Sequence, residues 1–252
     1  MLTPVMDVAR SLATRNHTAT EYSGTVKMKY DDIMKRLESL SDARAIEGMA
    51  KFGITPEQAY GVSVPNLRRI ARETGKDRDL AQRLWEAGIR ETRILACMID
   101  TPEMVTEDQM ESWVRDFSYW EICDQCCQNL FGRTKFAYRK AIEWSSSNEE
   151  FVKRAGFVLM ARLAVSDKKR NDKDFIEFLH VIKEGATDDR NFVKKAVNWA
   201  LRQIGKRGLA LNERAITTAQ EIQRINSRSA RWIASDAIRE LTSEAVQKRL
   251  RR

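Results

Sequence analysis

Apolar residues at helical spacing constrain this chain most, because they return in short stretches from Tyr30 almost to its end. The pattern begins with Ile33, Leu37 and Leu40, and it returns over 80–85 and 92–99. Turns rich in Asp, Asn, Gly or Ser separate the stretches, and no alternation typical of strands interrupts them. Short paired helices without clear identity between units predict an all-α fold. We expect an α-solenoid with a concave basic surface.

Several helix starts are signalled by capping residues. Ser63 with Pro65 suits a helix N-terminus, and Thr101 with Pro102 predicts a helix that runs through residues 110 and 113. Ser118 and Glu121 have the spacing of a capping box ahead of a helix over 120–131. Asn148 precedes the next predicted helix. Further helices are predicted over 149–164, 175–182, 192–204, 215–222 and 230–241.

The chain is long enough and apolar enough to form a complete basic domain. It has 252 residues, 42% of them hydrophobic, and its 44 Lys and Arg outnumber 36 Asp and Glu, which gives a net charge of +8. This excess predicts a polyanionic partner. Residues 1–27 show weak periodicity and are read as a flexible arm, and residues 28–252 as a single domain. No apolar run is long enough for a signal peptide or a membrane span.

The four cysteines, Cys97, Cys123, Cys126 and Cys127, suit a buried apolar face better than a disulfide framework. A reducing cytoplasm fits that usage. A zinc site lacks a fourth partner close in the sequence, because the chain has only two histidines and both are distant. No metal or other cofactor is predicted.

Trp120 and Asp124 are four residues apart on a predicted helix, so both side chains project from one face. One interpretation is structural: Asp124 pairs with an arginine of a neighbouring helix, and Trp120 fills a gap. The other is that an aromatic ring and a carboxylate lie side by side in a functional site. The spacing alone leaves both open.

Basic residues follow single helix faces in the second half of the chain. These faces also carry a tryptophan, which is rare on a face that only contacts solvent. Two interpretations therefore remain, contact with phosphate or sugar and simple packing. The first line is Lys195, Trp199, Arg202 and Lys206, and the second is Arg228, Arg231, Ser235 and Arg239, with Trp232 beside it.

Lys153 and Arg154 lie near the start of the helix that follows Asn148. An arginine there is placed to reach a phosphate, and the helix dipole also favours anions at this end. A surface salt bridge is the alternative.

Four stretches, "YGVSVPNLRRIA", "DFSYWEICDQ", "EEFVKRAGFVLMARL" and "NFVKKAVNWALRQIGK", resemble the AlkD-type alkylpurine DNA glycosylases, which are HEAT-like repeat proteins. The resemblance covers about 30–241. It implies that Asp124 is the catalytic carboxylate and that Trp120 and Trp199 are aromatic walls around the sugar. It also implies that Arg154, or less favourably Lys153, is the cationic contact near the lesion's phosphate. The family acts on purines alkylated at N3 or N7 without a deep base pocket or full base flipping.

The implied chemistry agrees with a chain poor in histidine. A purine alkylated at N3 or N7 is already cationic and leaves as a neutral base without a protonating acid. A carboxylate then stabilises the oxocarbenium-like sugar and orients water. The chain departs from the family pattern in its terminal segment "NSRSARWIASDAIREL", in a basic loop over 205–214 and in Tyr119, where many relatives carry Trp.

Three functions are therefore compared: an alkylpurine DNA glycosylase, a non-catalytic solenoid that recognises bent or branched DNA, and a scaffold for acidic proteins. The first predicts a cytoplasmic monomer, nucleoid-associated in a bacterium, with alkylated double-stranded DNA as partner and with no membrane or obligate protein partner. It requires Asp124 to lie between the indoles of Trp120 and Trp199 in a cationic hollow. Burial of Asp124 against a permanent cation, or either ring on the outer wall, would contradict it.

Overall fold

The computed structural model describes residues 28–251, and this part of the chain consists of helices and turns without a strand, as predicted. The α-helices are α1 (Tyr30–Ser39), α2 (Ala43–Met49), α3 (Val64–Thr74), α4 (Arg78–Glu86), α5 (Arg90–Ile99), α6 (Glu107–Arg115), α7 (Trp120–Asn129), α8 (Ala137–Ser145), α9 (Glu150–Ser166), α10 (Asp172–Gly185), α11 (Asn191–Gly205), α12 (Leu209–Gln223), α13 (Arg228–Leu241) and α14 (Glu244–Leu250). Single 3-10 turns lie at Ala50–Phe52, Pro102–Met104 and Phe131–Arg133. The predicted arm over 1–27 lies outside the described residues.

The helices pack in two layers. Layer A contains α4, α6, α8, α10 and α12, and layer B contains α3, α5, α7, α9, α11 and α13. Within layer B, each helix contacts its neighbour through residues at similar positions along the two helices. For example, Asn198 of α11 donates to Asp236 of α13 at 2.7 Å. The helices of layer B therefore run parallel, and their N-terminal ends share one edge.

One continuous core lies between the two layers. Its residues extend from Ile33 in α1 to Leu241 in α13. In layer A, the indoles of Trp85 and Trp113 stack at 4.0 Å with parallel rings. In layer B, α9 is buried almost throughout, because α7 and α11 flank it and α8 covers it. A central helix of this kind holds its side chains rigidly.

Two predicted helix starts are wrong. Thr101 and Pro102 open only a 3-10 turn, and α6 begins at Glu107 with the side chain of Thr106 accepting from the backbone N–H of Gln109. Ser118 and Glu121 form no capping box, because α7 begins at Trp120. The predicted basic loop over 205–214 is also shorter than expected, since α12 begins at residue 209.

A buried ionic network fixes the start of α7. Arg90, the first residue of α5, donates to both carboxylate oxygens of Glu121 at 2.7 Å. The same guanidinium donates to Glu91, which is fully buried and accepts the backbone N–H groups of residues 60–62. Gly61 suits this turn because its φ is +81° and a Cβ there would lie 2.2 Å from the carbonyl oxygen of Asp42. The network ties the turn, α5 and α7 together.

All four cysteines are buried and unbridged, as predicted. The thiols of Cys123 and Cys127 face the backbone carbonyls of Phe151 and Ala155 in α9, at 3.6 and 3.8 Å. Burial raises the pKa of the Cys126 and Cys127 thiols well above the ordinary value. The cysteines therefore pack as small apolar side chains. Among residues 28–251, no three His, Cys, Asp or Glu side chains are grouped as metal ligands.

No helix between residues 28 and 251 combines the length and apolar character that a membrane crossing requires.

Candidate functional site

Asp124 and Arg154 form a buried bidentate ion pair between α7 and α9. The Nε and Nη2 atoms of Arg154 each donate to one carboxylate oxygen of Asp124 at 2.9 Å. The Nη1 atom donates to the backbone carbonyl of Phe192 in α11 at 2.5 Å. The side chains of Asp124 and Arg154 are only 11% and 7% exposed. One guanidinium thus connects three adjacent helices of layer B.

Burial and pairing act in opposite directions on Asp124. Burial raises the pKa of the Asp124 carboxyl, and the Arg154 guanidinium opposes that rise. Because both carboxylate oxygens accept N–H groups and arginine stays charged in proteins, the geometry is that of an ionised carboxylate. Without Arg154, a carboxyl this deeply buried would take up a proton instead.

Trp120 lies at the N-terminal end of α7, one turn before Asp124. Its indole N–H donates to the backbone carbonyl of Phe52 at 2.8 Å, across 68 residues of sequence. The ring is half-buried, whereas the side chain of Phe52 is 71% exposed. The hydrogen bond therefore anchors the 3-10 turn of 50–52 against α7 and leaves a phenylalanine ring facing solvent.

Aromatic side chains mark the N-terminal ends of α9 and α11 as well. The rings of Phe151 and Phe192, each the second residue of its helix, lie 5.6 Å apart. Gly53 has a φ of +70°, and a Cβ there would lie 2.8 Å from the Phe192 ring. The turn therefore approaches α11 closely. Trp120, Phe151, Phe192 and the turn of 50–53 line one edge of layer B around the ion pair.

Trp199 lies seven residues after Phe192 in α11, so the two side chains share a helix face about 10 Å apart along the axis. The Trp199 ring is half-buried against the core. Trp120 precedes Asp124 by about 6 Å along α7. Since the helices run parallel, the ion pair lies at a level between the two indoles. No ring contact joins Trp120 and Trp199 within residues 28–251.

The structure places Arg154 differently from what the resemblance implied, and its role toward DNA stays a prediction. Its guanidinium is buried on Asp124 and on a backbone carbonyl, so it does not meet a phosphate from this position. Asp124 is buried against a permanent cation, and this is one of the arrangements that we expected to contradict the glycosylase hypothesis. The carboxylate is therefore paired rather than free, which counts against excision, and the catalytic role of Asp124 stays a prediction. The interhelical pair that the spacing left open is what the structure contains.

Acidic residues of α13 neutralise much of the predicted basic line on α11. Arg202 pairs with Glu240, and Lys206 contacts the same carboxylate at 2.5 Å. Asp236 pairs with Arg239, so that arginine is also not free. These side chains were expected to face a ligand. Arg202 and Lys206 instead connect α11 and its C-terminal end to α13, whereas Arg239 pairs within α13. Lys195 remains exposed without an acidic partner in the described residues.

The other predicted cations fall into two groups. Lys153 pairs with the buried Asp188 at 3.1 Å and is therefore not free. Arg228 and Arg231 are exposed on α13, and neither forms an ion pair within residues 28–251. Trp232 is 42% exposed on the same helix. The Nζ atom of Lys194 lies 5.2 Å from the centre of its ring.

Two contributors to the site carry no signal in the local sequence. Phe52 meets Trp120 through its backbone carbonyl, and Phe192 meets Arg154 in the same way, so neither contact depends on side-chain type. The family resemblance assigns roles to side chains, so it does not predict contacts that backbone carbonyls make. Only the packing of layer B reveals them.

Comparisons with known proteins agree with this architecture. A family profile described as DNA alkylation repair enzyme matches residues 33–241. Among solved structures, the chain is similar to one described as a new family of proteins related to the HEAT-like repeat DNA glycosylases with affinity for branched DNA structures. The TM-score is 0.70 at 20% identity, over 84% of this chain and 95% of that chain. At that identity the likeness shows the fold alone, and the predicted HEAT-like fold is confirmed. Among curated proteins, none matches this sequence.

Proposed function

The chain belongs to the DNA alkylation repair enzyme family, and from this membership we propose that it excises cationic N3- or N7-alkylated purines from duplex DNA. The observation that carries the proposal is the Asp124 carboxylate, held ionised by Arg154 one turn from the Trp120 indole. In this proposal Asp124 acts as a carboxylate paired with arginine, whereas the sequence led us to expect an unpaired one. Arg154 is then a positioning residue rather than a phosphate contact.

A paired carboxylate keeps some capacity to act. A carboxylate offers about four lone-pair sites, and the two N–H groups of Arg154 occupy one on each oxygen of Asp124. The side chain is 11% exposed, and the proposal requires that this exposed part include a carboxylate oxygen. A water molecule or a hydrogen of the sugar would then contact a carboxylate oxygen whose orientation Arg154 fixes. In this position the charge of Asp124 is partly offset but fixed in place.

The proposed step breaks the bond between C1′ of the sugar and the purine nitrogen, and both electrons go to the purine. Because the alkylated purine starts with a positive charge, it leaves neutral and needs no acid. Positive charge develops on the sugar, and Asp124 stabilises it while the faces of Trp120 and Trp199 add aromatic attraction. Water then attacks C1′ and releases its proton to solvent.

The test is release of 7-methylguanine from methylated duplex DNA by the wild-type chain and by Asp124→Asn. We expect wild-type release and a loss of about two powers of ten or more in the variant. Asp100→Asn is the matched control, because Asp100 is fully buried and hydrogen-bonded to Gln109, outside the pair. Wild-type-like release by Asp124→Asn, or no release by the wild-type chain, would reject the proposal.

A second candidate function is binding of branched DNA without excision. Trp232 favours it: the ring is 42% exposed, Lys194 covers it, and Arg228 lies one turn before it on the same helix face. A branch point exposes base pairs that stack on aromatic rings, and the adjacent cations suit phosphates. The pairing of the Asp124 carboxylate with Arg154 also fits a chain that does no chemistry.

Binding to a four-way junction and to a linear duplex of equal length separates the two functions. If branch recognition is the function, the wild-type chain prefers the junction, and Trp232→Ala lowers that preference while leaving duplex binding nearly unchanged. Phe52→Ala is a useful control, because it removes another exposed ring on a different element. Equal affinity for both DNAs would reject this candidate.

A further inference from the structure

We propose that Arg68, Arg72 and Arg133 form a second nucleic-acid site that binds backbone phosphates of DNA, separate from the Asp124–Arg154 pair. The inference rests on the proposed function only in that the ligand is DNA. It requires no excision. None of the three arginines was among the residues expected from the sequence to contact DNA.

The three arginines line a surface cavity of about 330 Å³. Lys76 and Asn129 add polar groups to its wall, and no carboxylate lines it. Its apolar lining comes chiefly from Ala71 and Met98. A cavity walled by cations and amide groups fits an anion, and its apolar part accommodates the sugar next to a phosphate.

The three arginines of this cavity have no acidic partner among the described residues. Arg68, Arg72 and Arg133 are exposed, and no Asp or Glu of residues 28–251 lies within ion-pair distance of any of them. Burial and repulsion from Arg133 lower the pKa of Arg162. Both also lower the pKa of Lys76, where the carboxylates of Asp100 and Glu103 act in the opposite direction. By contrast, Arg202 and Lys206 both form ion pairs with Glu240 of α13. An external anion would relieve the repulsion.

The geometry of layer B relates this cavity to the candidate site. Arg72 lies in the last turn of α3, Met98 near the end of α5, and Asn129 is the last residue of α7. The cavity therefore lies at the C-terminal edge of layer B, whereas Trp120 lies at the N-terminal edge. The length of α7 separates them by about 13 Å. That distance corresponds to about four phosphates of axial rise along one DNA strand.

Both sites thus fall within reach of one bound duplex. Guanidinium groups suit this role because they bind phosphate oxygens in bidentate fashion. Arg68 and Arg72 are four residues apart on α3, so their side chains project from the same face toward one strand. We expect this site to add affinity and to fix the direction of the duplex across layer B, without base specificity.

The test measures how duplex DNA binding depends on salt for the wild-type chain, for Arg68→Gln/Arg72→Gln and for Arg133→Gln. Each lost phosphate contact lowers the slope of log K against log salt by about 0.9, so we expect decreases of about 1.8 and 0.9. The matched control is Arg214→Gln/Arg224→Gln, which removes two exposed charges from α12 and its C-terminal end in layer A. We expect no change in its slope.

The possible results separate this inference from the proposed function. Unchanged slopes in the Arg68, Arg72 and Arg133 variants, with normal circular dichroism, would overturn the inference and leave excision untouched. Reduced slopes in a chain that releases no alkylated base would support the site and reject excision. A control variant that loses as much as the double variant would also overturn the inference, because the effect would then be only one of net charge.

Discussion

The Asp124–Arg154 pair predicts a characteristic pattern of stabilities when its members are replaced by apolar residues. Asp124→Leu leaves a buried arginine that has no route to neutrality, because its charge persists at any ordinary pH. Removing one member of a buried pair costs about 3–5 kcal/mol, and this variant should lie at the upper end of that range. The carbonyl of Phe192 retains one of the three hydrogen bonds of Arg154 and limits the loss.

Arg154→Met should be less destabilising and should depend on pH. The unpaired Asp124 has its pKa raised by burial, and it takes up a proton on folding. A folded-state pKa above the unfolded one favours the folded state at acidic pH, and this contribution is lost as pH rises through the folded value. The variant is therefore expected to be more stable at pH 5 than at pH 8.

The double variant Asp124→Leu/Arg154→Met should recover most of the lost stability, because apolar pairs of similar volume often equal or exceed a buried ion pair. Urea unfolding followed by circular dichroism measures all four chains. A loss below about 1 kcal/mol in Asp124→Leu, or a double variant as unstable as the sum of the single variants, would refute the reasoning. If the folded double variant still released 7-methylguanine, the pair would be structural only.

Three further outcomes follow from the same contacts. Lys195→Ala should lower the salt slope of DNA binding by about 0.9, whereas Arg202→Ala should lower it less, since Arg202 is already ion-paired; equal slopes would contradict the difference. Trp120→Phe loses the bond to the Phe52 carbonyl, so amides of 52–54 should exchange faster and stability should fall by about 1 kcal/mol. Burial raises the pKa of Asp188, but contacts from a lysine and an arginine outweigh this and lower it to about 2. Stability should therefore fall as pH drops from about 4 toward 2, and a melting temperature that stays level in this range would contradict the assignment.

The sequence predicted the helices well where local signals decide them. Pro65 lies at the start of α3, and the stretch after Asn148 is α9, within two residues of its predicted bounds. These features depend on capping and on apolar spacing, both of which act over a few residues. The Ser118–Glu121 box failed because α7 begins one residue later than the box requires, and Glu121 pairs with Arg90. A competing partner 31 residues away is invisible to local spacing.

The candidate site was harder to predict for the same reason. The pairing of Asp124 with an arginine was one of two interpretations, and its identity depends on the register between α7 and α9, 30 residues apart. In the basic line on α11, Arg202 is paired with Glu240, which lies 38 residues later in the sequence. Helical spacing tells which residues share a face, but it does not tell which charges the next helix presents.

The buried cysteines bear on the conditions in which such a chain works. Agents that methylate purines also attack thiolates, so a protein with accessible thiols would be modified during the same chemical stress. Here Cys126 and Cys127 are fully buried, and the raised pKa keeps both protonated. The fold thus keeps the sulfur atoms of these two cysteines out of contact with alkylating agents. Chemical self-inactivation should begin only when the chain unfolds.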